Sequence, residues 1–349
     1  MTDVKPLSSF QPACASPPLT QSSSQWWLPC NVLCMPVFEI ISLKEWWNGE
    51  ESNKNADIHR LPVIDIREPQ EDGQRLRHGE SITVVHLPLR DLQSGERSCE
   101  LPPRHVPFAI LTKEDLLEAA RDFFRATTSR VTSASRKPWL VEQVLLANDE
   151  LWRDANEIGI LQVKEDVIPN SPFQPLPRLW QPDPMVQYVL WPLLKERRSL
   201  SIHQQEEVWD LGSGAGRDVC FLAENSKSLG IDSYRFVGID HHKASAKRCL
   251  PFWFHRHIED RTEARSVDLS KIDRVQKEIE GRDIACLYAV RFWNAKLIQF
   301  IADNTTLAQG TLFAMSHFCK PYPGAPWNFD HPKVRLFTNM SIRLLVASF

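Results

Sequence analysis

An acidic residue stands just before three closely spaced glycines in the segment Asp210–Gly216, which reads DLGSGAG. The apolar residues before it predict a strand, and those after it predict a helix. Glycines at such a junction permit a tight turn and let a ligand approach the backbone closely. A carboxylate here would repel a pyrophosphate, but it suits a ligand that carries an ammonium and a sulfonium group.

Two more acids follow predicted strands. Asp240 ends FVGID, where a carboxylate can accept two hydrogen bonds from a ribose diol. Asp268 closes ARSVDL, where a side chain can reach the exocyclic amine of adenine. Because open α/β sheets bind ligands at the carboxyl ends of their strands, the three acids predict one ligand site.

The elements around these residues alternate between strand and helix. VWDL, FVGID and ARSVDL are followed by the strands IACLYAV and TLFAMSHF, with helical patterns between them. Asp183 is a predicted helix cap, with Pro184 at the first helical position. The alternation predicts a Rossmann-like, doubly wound parallel sheet.

These motifs resemble those of class I S-adenosylmethionine-dependent methyltransferases over about residues 184–320. The forms DLGSGAGRDVCFLA and AVRFWNAKLIQFI are similar to the branch with tellurite-resistance-type and small-thiol methyltransferases. The resemblance implies S-adenosylmethionine as cofactor and a small nucleophile, sulfur or metalloid, as methyl acceptor. It implies that the glycine turn contacts the methionine part, Asp240 the ribose and Asp268 the adenine. The implied cofactor-binding residues are Asp210, Leu211, Gly212, Ser213, Gly214, Gly216, Asp240, Asp268 and Val290.

The first half of the chain predicts a smaller α/β domain. Strands are expected at LPVIDI, at SITVVHL and from Val106 to Leu111. A helix should begin with Thr112 as its N-cap, and WLVEQVLLANDELW should add a helical piece before Gly159. Strands that alternate with helices favour an α/β domain here too.

This half resembles the rhodanese family, because VIDIREP matches a family strand that contains Asp65 and Arg67. Rhodaneses carry a persulfide on a cysteine in the loop after a central strand, and here that loop is Thr112–Asp115, without a cysteine. A sulfur carrier needs a thiolate, which threonine cannot supply. The resemblance therefore implies a non-catalytic rhodanese-like module, a scaffold or a surface for a protein partner.

The chain is expected to have four parts. Residues 1–38 predict a disordered tail, 39–160 the rhodanese-like domain, 161–183 a proline-rich linker and 184–349 the methyltransferase-like domain. Few residues follow TLFAMSHF, so the second sheet is expected to be shortened at its C-terminal edge, with SIRLLVAS as a candidate strand.

The composition limits the classes of binding partner and the cell compartment that are expected for this protein. The formal net charge is −3, from 41 basic and 44 acidic residues, which favours neither a nucleic acid nor a membrane surface. No apolar run approaches the ~20 residues that span a bilayer. The eight cysteines form no CxxC pair. Together with the absence of a signal-like start, they predict a cytoplasmic protein with reduced thiols.

Residues at the last two strand ends are candidates for an acceptor pocket. These are Arg291, Trp293 and His317, and His317 is either a general base or a structural histidine. No single catalytic residue is selected, because alignment of acceptor and sulfonium can supply most of the catalysis. The histidines 241, 242, 255 and 257 match no zinc spacing, so no metal is expected.

Two other functions remain open from the sequence. The first is a non-enzymatic protein that binds the cofactor or a partner, which the missing cysteine and the short C-terminal edge of the sheet support. A nicotinamide-dependent oxidoreductase is disfavoured, because the glycine spacing is GxGxG and not GxGxxG.

Overall fold

The computed structural model describes residues 38–48, 60–69, 74–79, 82–125, 138–163, 176–198, 206–304, 307–308, 310–317 and 347–348. The chain divides into two compact units, Met1–Met35 and Pro36–Phe349, and every described residue belongs to the second. The predicted tail lies outside the described residues, except for Phe38, which is buried.

A five-stranded sheet forms the first module, which we define as the described residues within 38–163. Its strands are all parallel, and their order is β1-β6-β5-β2-β4. The strand bounds are β1 Glu39–Ile40, β2 Val63–Asp65, β4 Val84–His86, β5 Phe108–Thr112 and β6 Val141–Leu146. The β2 and β5 residues are buried throughout, as expected where helices cover both faces.

The helices of the first module pack on the two faces of this sheet, and each face has its own apolar core. A separate antiparallel pair joins β3 Gln74–Leu76 to β7 Leu161–Val163. The helix bounds are α1 Leu43–Asn48, α2 Leu89–Ser94, α3 Leu117–Arg125 and α4 Asp149–Ile158.

One local prediction in the first module was wrong, and another was correct only for part of its segment. Thr112 does not cap a helix but ends β5 as a fully buried residue, and a 3-10 turn over Glu114–Leu116 precedes α3. The helical piece expected before Gly159 is present as α4, with Asn148 as its N-cap, but the earlier part of the same segment forms strand β6. Its apolar run pairs with β5 in the centre of the sheet, and this long-range pairing overrides the local pattern.

A six-stranded sheet forms the second module, which we define as the described residues from 184 onwards. The order is β10-β9-β8-β11-β12-β13, and all pairs are parallel except β12 with β13. The strand bounds are β8 Glu207–Leu211, β9 Arg235–Asp240, β10 Thr262–Ser266, β11 Ile284–Val290, β12 Leu312–Ser316 and β13 Ala347–Ser348. The expected parallel α/β sheet is confirmed, and the end of SIRLLVAS forms the antiparallel edge strand β13.

Helices cover both faces of the second sheet, so its apolar residues form two cores, one on each face. A π-helical turn, Val186–Leu190, leads into the first of these helices. The helix bounds are α5 Trp191–Arg198, α6 Arg217–Leu229, α7 Lys243–His255, α8 Ile272–Ile279 and α9 Ala295–Asp303. The chain reverses its winding between β8 and β11, which is where such sheets open a crevice at their carboxyl edge.

The structure describes both ends of the predicted linker 161–183. Its first three residues are strand β7, and Leu179 and Trp180 near its other end pack into the cores of the two modules. Trp180 is 3% exposed and lies in the core of the second module. Asp183 caps the next helix as predicted, because its Oδ1 accepts a hydrogen bond from the Met185 amide at 3.0 Å.

Among the described residues, no helix has both the length and the apolar character that crossing a bilayer requires.

Candidate functional site

The glycine turn lies at the carboxyl end of the central strand β8. Gly212, Gly214 and Gly216 have φ of +83°, +55° and +69°, a region that residues with a side chain rarely adopt. The amides of Gly212 and Ser213 donate to the Ile239 carbonyl at 2.8 and 3.0 Å, which ties the turn to β9. The predicted strand, turn and helix are therefore all present.

Close packing adds a second requirement for glycine at two of these positions. A Cβ at Gly216 would lie 2.7 Å from the Trp253 ring, and a Cβ at Gly212 would lie 2.8 Å from the Phe292 ring. A Cβ at Gly214 would meet only the Gly212 carbonyl oxygen, 4.0 Å away, among the residues that the structure describes. Gly214 is therefore the glycine that a ligand can approach most freely, whereas Phe292 covers Gly212.

Asp240 connects the end of β9 to the glycine turn. Its Oδ2 accepts a hydrogen bond from the Gly214 amide at 3.0 Å, and its Oδ1 accepts one from the His242 amide at 2.8 Å. The residue is 9% exposed. Each carboxylate oxygen can accept more than one hydrogen bond, so both keep capacity for a ligand hydroxyl.

Four carboxylates gather around the turn. Asp210 is 2% exposed at the end of β8, and Asp218 lies in the first turn of α6. The Asp218 Oδ1 accepts a hydrogen bond from the Asp183 amide at 2.8 Å, which brings the segment before α5 to the site. The acid cluster, as we call it below, consists of Asp183, Asp210, Asp218 and Asp240.

Burial and mutual repulsion disfavour ionisation of this cluster. Burial raises the pKa of Asp210 well above its usual range, and neighbouring carboxylates, Asp218 foremost, raise it further. Burial also raises the pKa of Asp218 to about 6, although the Asp183 amide and the charge of Arg291 oppose this shift. Such an arrangement favours a cationic ligand, which would offset the concentrated negative charge.

Tyr288 reaches the cluster from the neighbouring strand β11, where it pairs with Asp210. It is fully buried, and its hydroxyl meets no acceptor at full hydrogen-bond geometry among the described residues. Its proximity nevertheless lowers the pKa of Asp210, against the larger effect of burial. A small shift of the Asp210 carboxylate would complete this hydrogen bond.

Val290 ends β11 at the same edge of the sheet, and Arg291 directly follows it. Val290 pairs with Ser316 of β12, and the Arg291 amide donates to the Ser316 carbonyl at 2.7 Å. Arg291 has φ of +55°, which costs about 1–3 kcal/mol for a residue with a side chain. Backbone strain of this kind is concentrated at functional sites.

The remaining predicted residues lie towards the rim. Asp268 is half-exposed, and its Oδ1 accepts hydrogen bonds from the Ser270 amide and hydroxyl at 3.0 and 2.6 Å. These two bonds lower the pKa of Asp268, so the structure gives it a separate environment from the acid cluster. On the other side, the Trp293 and His317 rings meet edge to face with centroids 6.2 Å apart.

The histidines do not assemble a metal site in the described part of the chain. His241 and His242 have ring centroids 3.5 Å apart, and His241 Nδ1 lies 3.5 Å from Asp240 Oδ1. No group of three or more histidines, cysteines or acids within the described ranges could hold a metal ion.

The sequence missed two members of the acid cluster. The sequence predicts only a capping role for Asp183, and it shows Asp218 only as part of the motif DLGSGAGRDVCFLA. The Arg-Asp pair directly after the last glycine was the available signal for Asp218. Nothing local indicates that Asp183, from before the preceding helix, returns to the turn.

Comparisons with known proteins found partial similarities of fold. No protein-family model and no curated protein matches the chain. A coclaurine N-methyltransferase bound to N-methylheliamine and SAH is 16% identical over 37% of this chain and 35% of its own, with a TM-score of 0.28. A Thiobacillus denitrificans SAM-dependent methyltransferase in complex with S-adenosyl-L-homocysteine is 17% identical over 41% and 48%, with a TM-score of 0.27. An SAH-bound methyltransferase from Podospora anserina is 12% identical over 36% and 50%, with a TM-score of 0.28.

The chain spans half or less of the length of each of these three structures. TM-scores this low do not identify a function. A function can therefore be inferred only from the geometry of the site.

Proposed function

We propose that the second module binds S-adenosylmethionine and transfers its methyl group to a small nucleophile. The observation that carries this proposal is the meeting of a glycine turn and four carboxylates at the carboxyl edge of the parallel sheet, beside β8. Open α/β sheets bind their ligands at this edge.

The charge of the site selects among nucleotide ligands. S-adenosylmethionine carries a sulfonium and an ammonium, whose positive charges would offset the acid cluster. The pyrophosphate of a nicotinamide dinucleotide would instead approach carboxylates that are already crowded. The negative charge at this edge therefore favours a sulfonium nucleoside over a nicotinamide dinucleotide, which supports a methyltransferase rather than an oxidoreductase.

The residues around the turn fit the parts of this cofactor. Gly214 offers an open backbone approach for the methionine part, and Asp240 has acceptor capacity for the ribose diol. We assign Asp268, at the rim, to the adenine. The bound cofactor supplies an activated methyl group, and the protein's contribution is to orient the acceptor and exclude water.

The acceptor side supports a small substrate. Phe292, Trp293 and His317 follow β11 and β12, and the last two form an aromatic corner. We propose a sulfur or metalloid acceptor on the basis of the resemblance in the sequence. Such soft nucleophiles need no general base when they are aligned with the sulfonium.

For the first module we propose a non-catalytic, rhodanese-like role. Its parallel sheet presents Thr112 and Lys113 where a persulfide cysteine would be needed. Cys99 is 3% exposed, and burial raises the pKa of its thiol, which disfavours the reactive thiolate. The described cysteines 99, 220, 249 and 286 are all free and buried, which supports the cytoplasmic location that we propose.

A second candidate is a protein that binds the cofactor without turnover. Phe292 favours it, because its ring fills the space into which a Cβ at Gly212 would project and so restricts a ligand's approach to that glycine. Release of S-adenosylhomocysteine across a panel of thiols and metalloid oxyanions separates the two candidates, since only the enzyme produces it.

Calorimetric titration of the full chain with S-adenosylmethionine tests the proposed cofactor. We expect saturable binding by the wild type and at least tenfold weaker binding by Asp240→Ala, because charge-assisted hydrogen bonds contribute about 1.5–3 kcal/mol each. Asp240→Asn, which keeps the shape of the side chain, should fall between them.

Asp303→Ala is the matched control, because this exposed acid at the end of α9 accepts a hydrogen bond from Gln299 of its own helix and lies outside the acid cluster. It should bind as the wild type does. Absence of wild-type binding at millimolar cofactor would reject the proposal, and equal affinity of both alanine variants would reject the role of Asp240.

Cofactor affinity should depend on pH through Asp218. Its pKa of about 6 means that lowering the pH from 7 to 5 protonates the carboxyl and removes a negative charge. If binding requires the ionised form, affinity should fall about tenfold over this range. Asp218→Asn can still accept the Asp183 hydrogen bond, and its binding should be weaker but nearly independent of pH. A wild-type profile as flat as that of the variant would contradict the assignment.

A further inference from the structure

Arg217, which directly follows the glycine turn, links the second module to the backbone of the first. Arg217 is the first residue of α6 and directly follows Gly216. Its Nε donates to the Cys99 carbonyl at 2.9 Å, and its Nη2 donates to the Leu101 carbonyl at 2.7 Å. The glycine turn therefore continues directly into a contact with the first module.

An arginine is an unusual residue at this position. The amino end of a helix carries a partial positive charge, so a cation in its first turn is locally unfavourable. The two carbonyls offset this disadvantage, because hydrogen bonds that involve a charged group are stronger than neutral ones. The contact therefore accounts for an arginine where the helix alone would disfavour one.

The docking strap, as we call residues Arg97–Leu101 of the first module, is itself held firmly. Arg97 makes two hydrogen bonds to Glu100, at 2.6 and 3.0 Å, and Glu100 is 2% exposed. Arg256 of the second module lies 3.8 Å from Glu100 and also pairs with Glu224 of α6 at 2.8 Å. The carbonyls that Arg217 contacts thus belong to a segment anchored at both sides.

The glycine turn is fixed from a second side by α7. Trp253 Nε1 donates to the Gly216 carbonyl at 3.1 Å, and Cys249 Sγ lies 3.6 Å from the Gly214 carbonyl. With Asp240 holding the Gly214 amide, the turn has supports on three sides. The strap is the one among these supports that comes from the first module.

We propose that Arg217 is a positioning residue through which the docking strap of the first module sets the conformation of the glycine turn. The inference deepens the proposed function and rests on it for its consequence, which is that the first module tunes cofactor affinity. This role would require no sulfur chemistry of the first module.

Amide hydrogen exchange of the ligand-free full chain tests the positioning directly. The amides of residues 212, 213, 214 and 216 are all hydrogen-bonded, so their exchange reports opening of the turn. Arg217→Gln should speed their exchange about three- to thirtyfold relative to the amides of β11, and Arg217→Lys should do so less.

Arg197→Gln is the matched control. Arg197 also donates to a carbonyl, that of Gly310, and pairs with Glu206, but it acts at the amino end of β8. Its loss should change the stability of the second module without a specific effect on the turn. Faster exchange spread evenly over the sheet in Arg217→Gln, as in the control, would overturn the inference.

Titration of the same variants with S-adenosylmethionine gives the consequence for affinity. A merely structural role would lower the bound stoichiometry, whereas positioning raises Kd about three- to thirtyfold at unchanged stoichiometry. Glu100→Gln, a change within the first module, should raise Kd in the same direction. Wild-type Kd in both variants would overturn the inference. If the wild type binds no cofactor, the proposed function fails, and the exchange measurement still decides the positioning.

Discussion

Asp210→Asn is expected to stabilise the ligand-free protein at neutral pH and to weaken S-adenosylmethionine binding at least tenfold. The native carboxyl is buried at 2% exposure among other acids, and burial raises its pKa well above the usual range. An amide of the same shape cannot ionise, so folding no longer has to suppress a charge beside Asp218. It also cannot supply the negative charge that a bound cation would stabilise, and a charge-assisted interaction is worth about 1.5–3 kcal/mol.

The pH dependence of this variant identifies the cause. A carboxyl whose pKa is raised on folding contributes stability at low pH that is lost as the pH rises through its folded pKa. The gain from Asp210→Asn should therefore be largest at pH 8 and shrink towards pH 4, where the carboxyl becomes protonated in the unfolded chain as well. Thermal unfolding across this range measures the gain. A variant less stable than the wild type at pH 8 would show that the carboxylate supports the fold.

Gly216→Ala is expected to destabilise the protein by about 2–5 kcal/mol. The φ of +69° costs a residue with a side chain about 1–2 kcal/mol. The added methyl would also lie 2.7 Å from the Trp253 ring and 2.9 Å from Cys249 Sγ, and overpacking of this kind costs about 1–3 kcal/mol. Chemical denaturation of the full chain measures the loss.

Gly214→Ala is the matched comparison, because it has a positive φ of +55° but open space around the new methyl. It should lose only about 1–2 kcal/mol of stability. Its methyl would instead occupy the space through which we propose that the ligand approaches. The loss of binding free energy for the cofactor should therefore exceed the loss of unfolding free energy. Equal losses of stability in the two variants would mean that the Trp253 contact carries no strain.

The central part of the site could be predicted because its signals are local. Three glycines within five residues, placed between an apolar strand and a helix, allow few backbone paths. Asp240 could be predicted as well, since a carboxylate at the end of the next parallel strand must reach the same sheet edge.

The rest of the site depends on contacts between distant residues. Asp183 reaches Asp218 across 35 positions, and Arg217 reaches Cys99 across 118. No sequence periodicity encodes such pairings. In the first module, Thr112 looked like a helix cap because acids follow it, but burial at the end of β5 decided its conformation.

The acceptors in the docking strap are backbone oxygens, those of Cys99 and Leu101. Every amino acid provides such an oxygen, so a substitution at Cys99 or Leu101 keeps the link to Arg217 as long as Arg97 and Glu100 still hold the backbone of the strap in place. The junction between the two modules therefore constrains the backbone conformation of the strap more than the identity of residues 99 and 101. On the other side of the junction, no other amino acid is equivalent to Arg217.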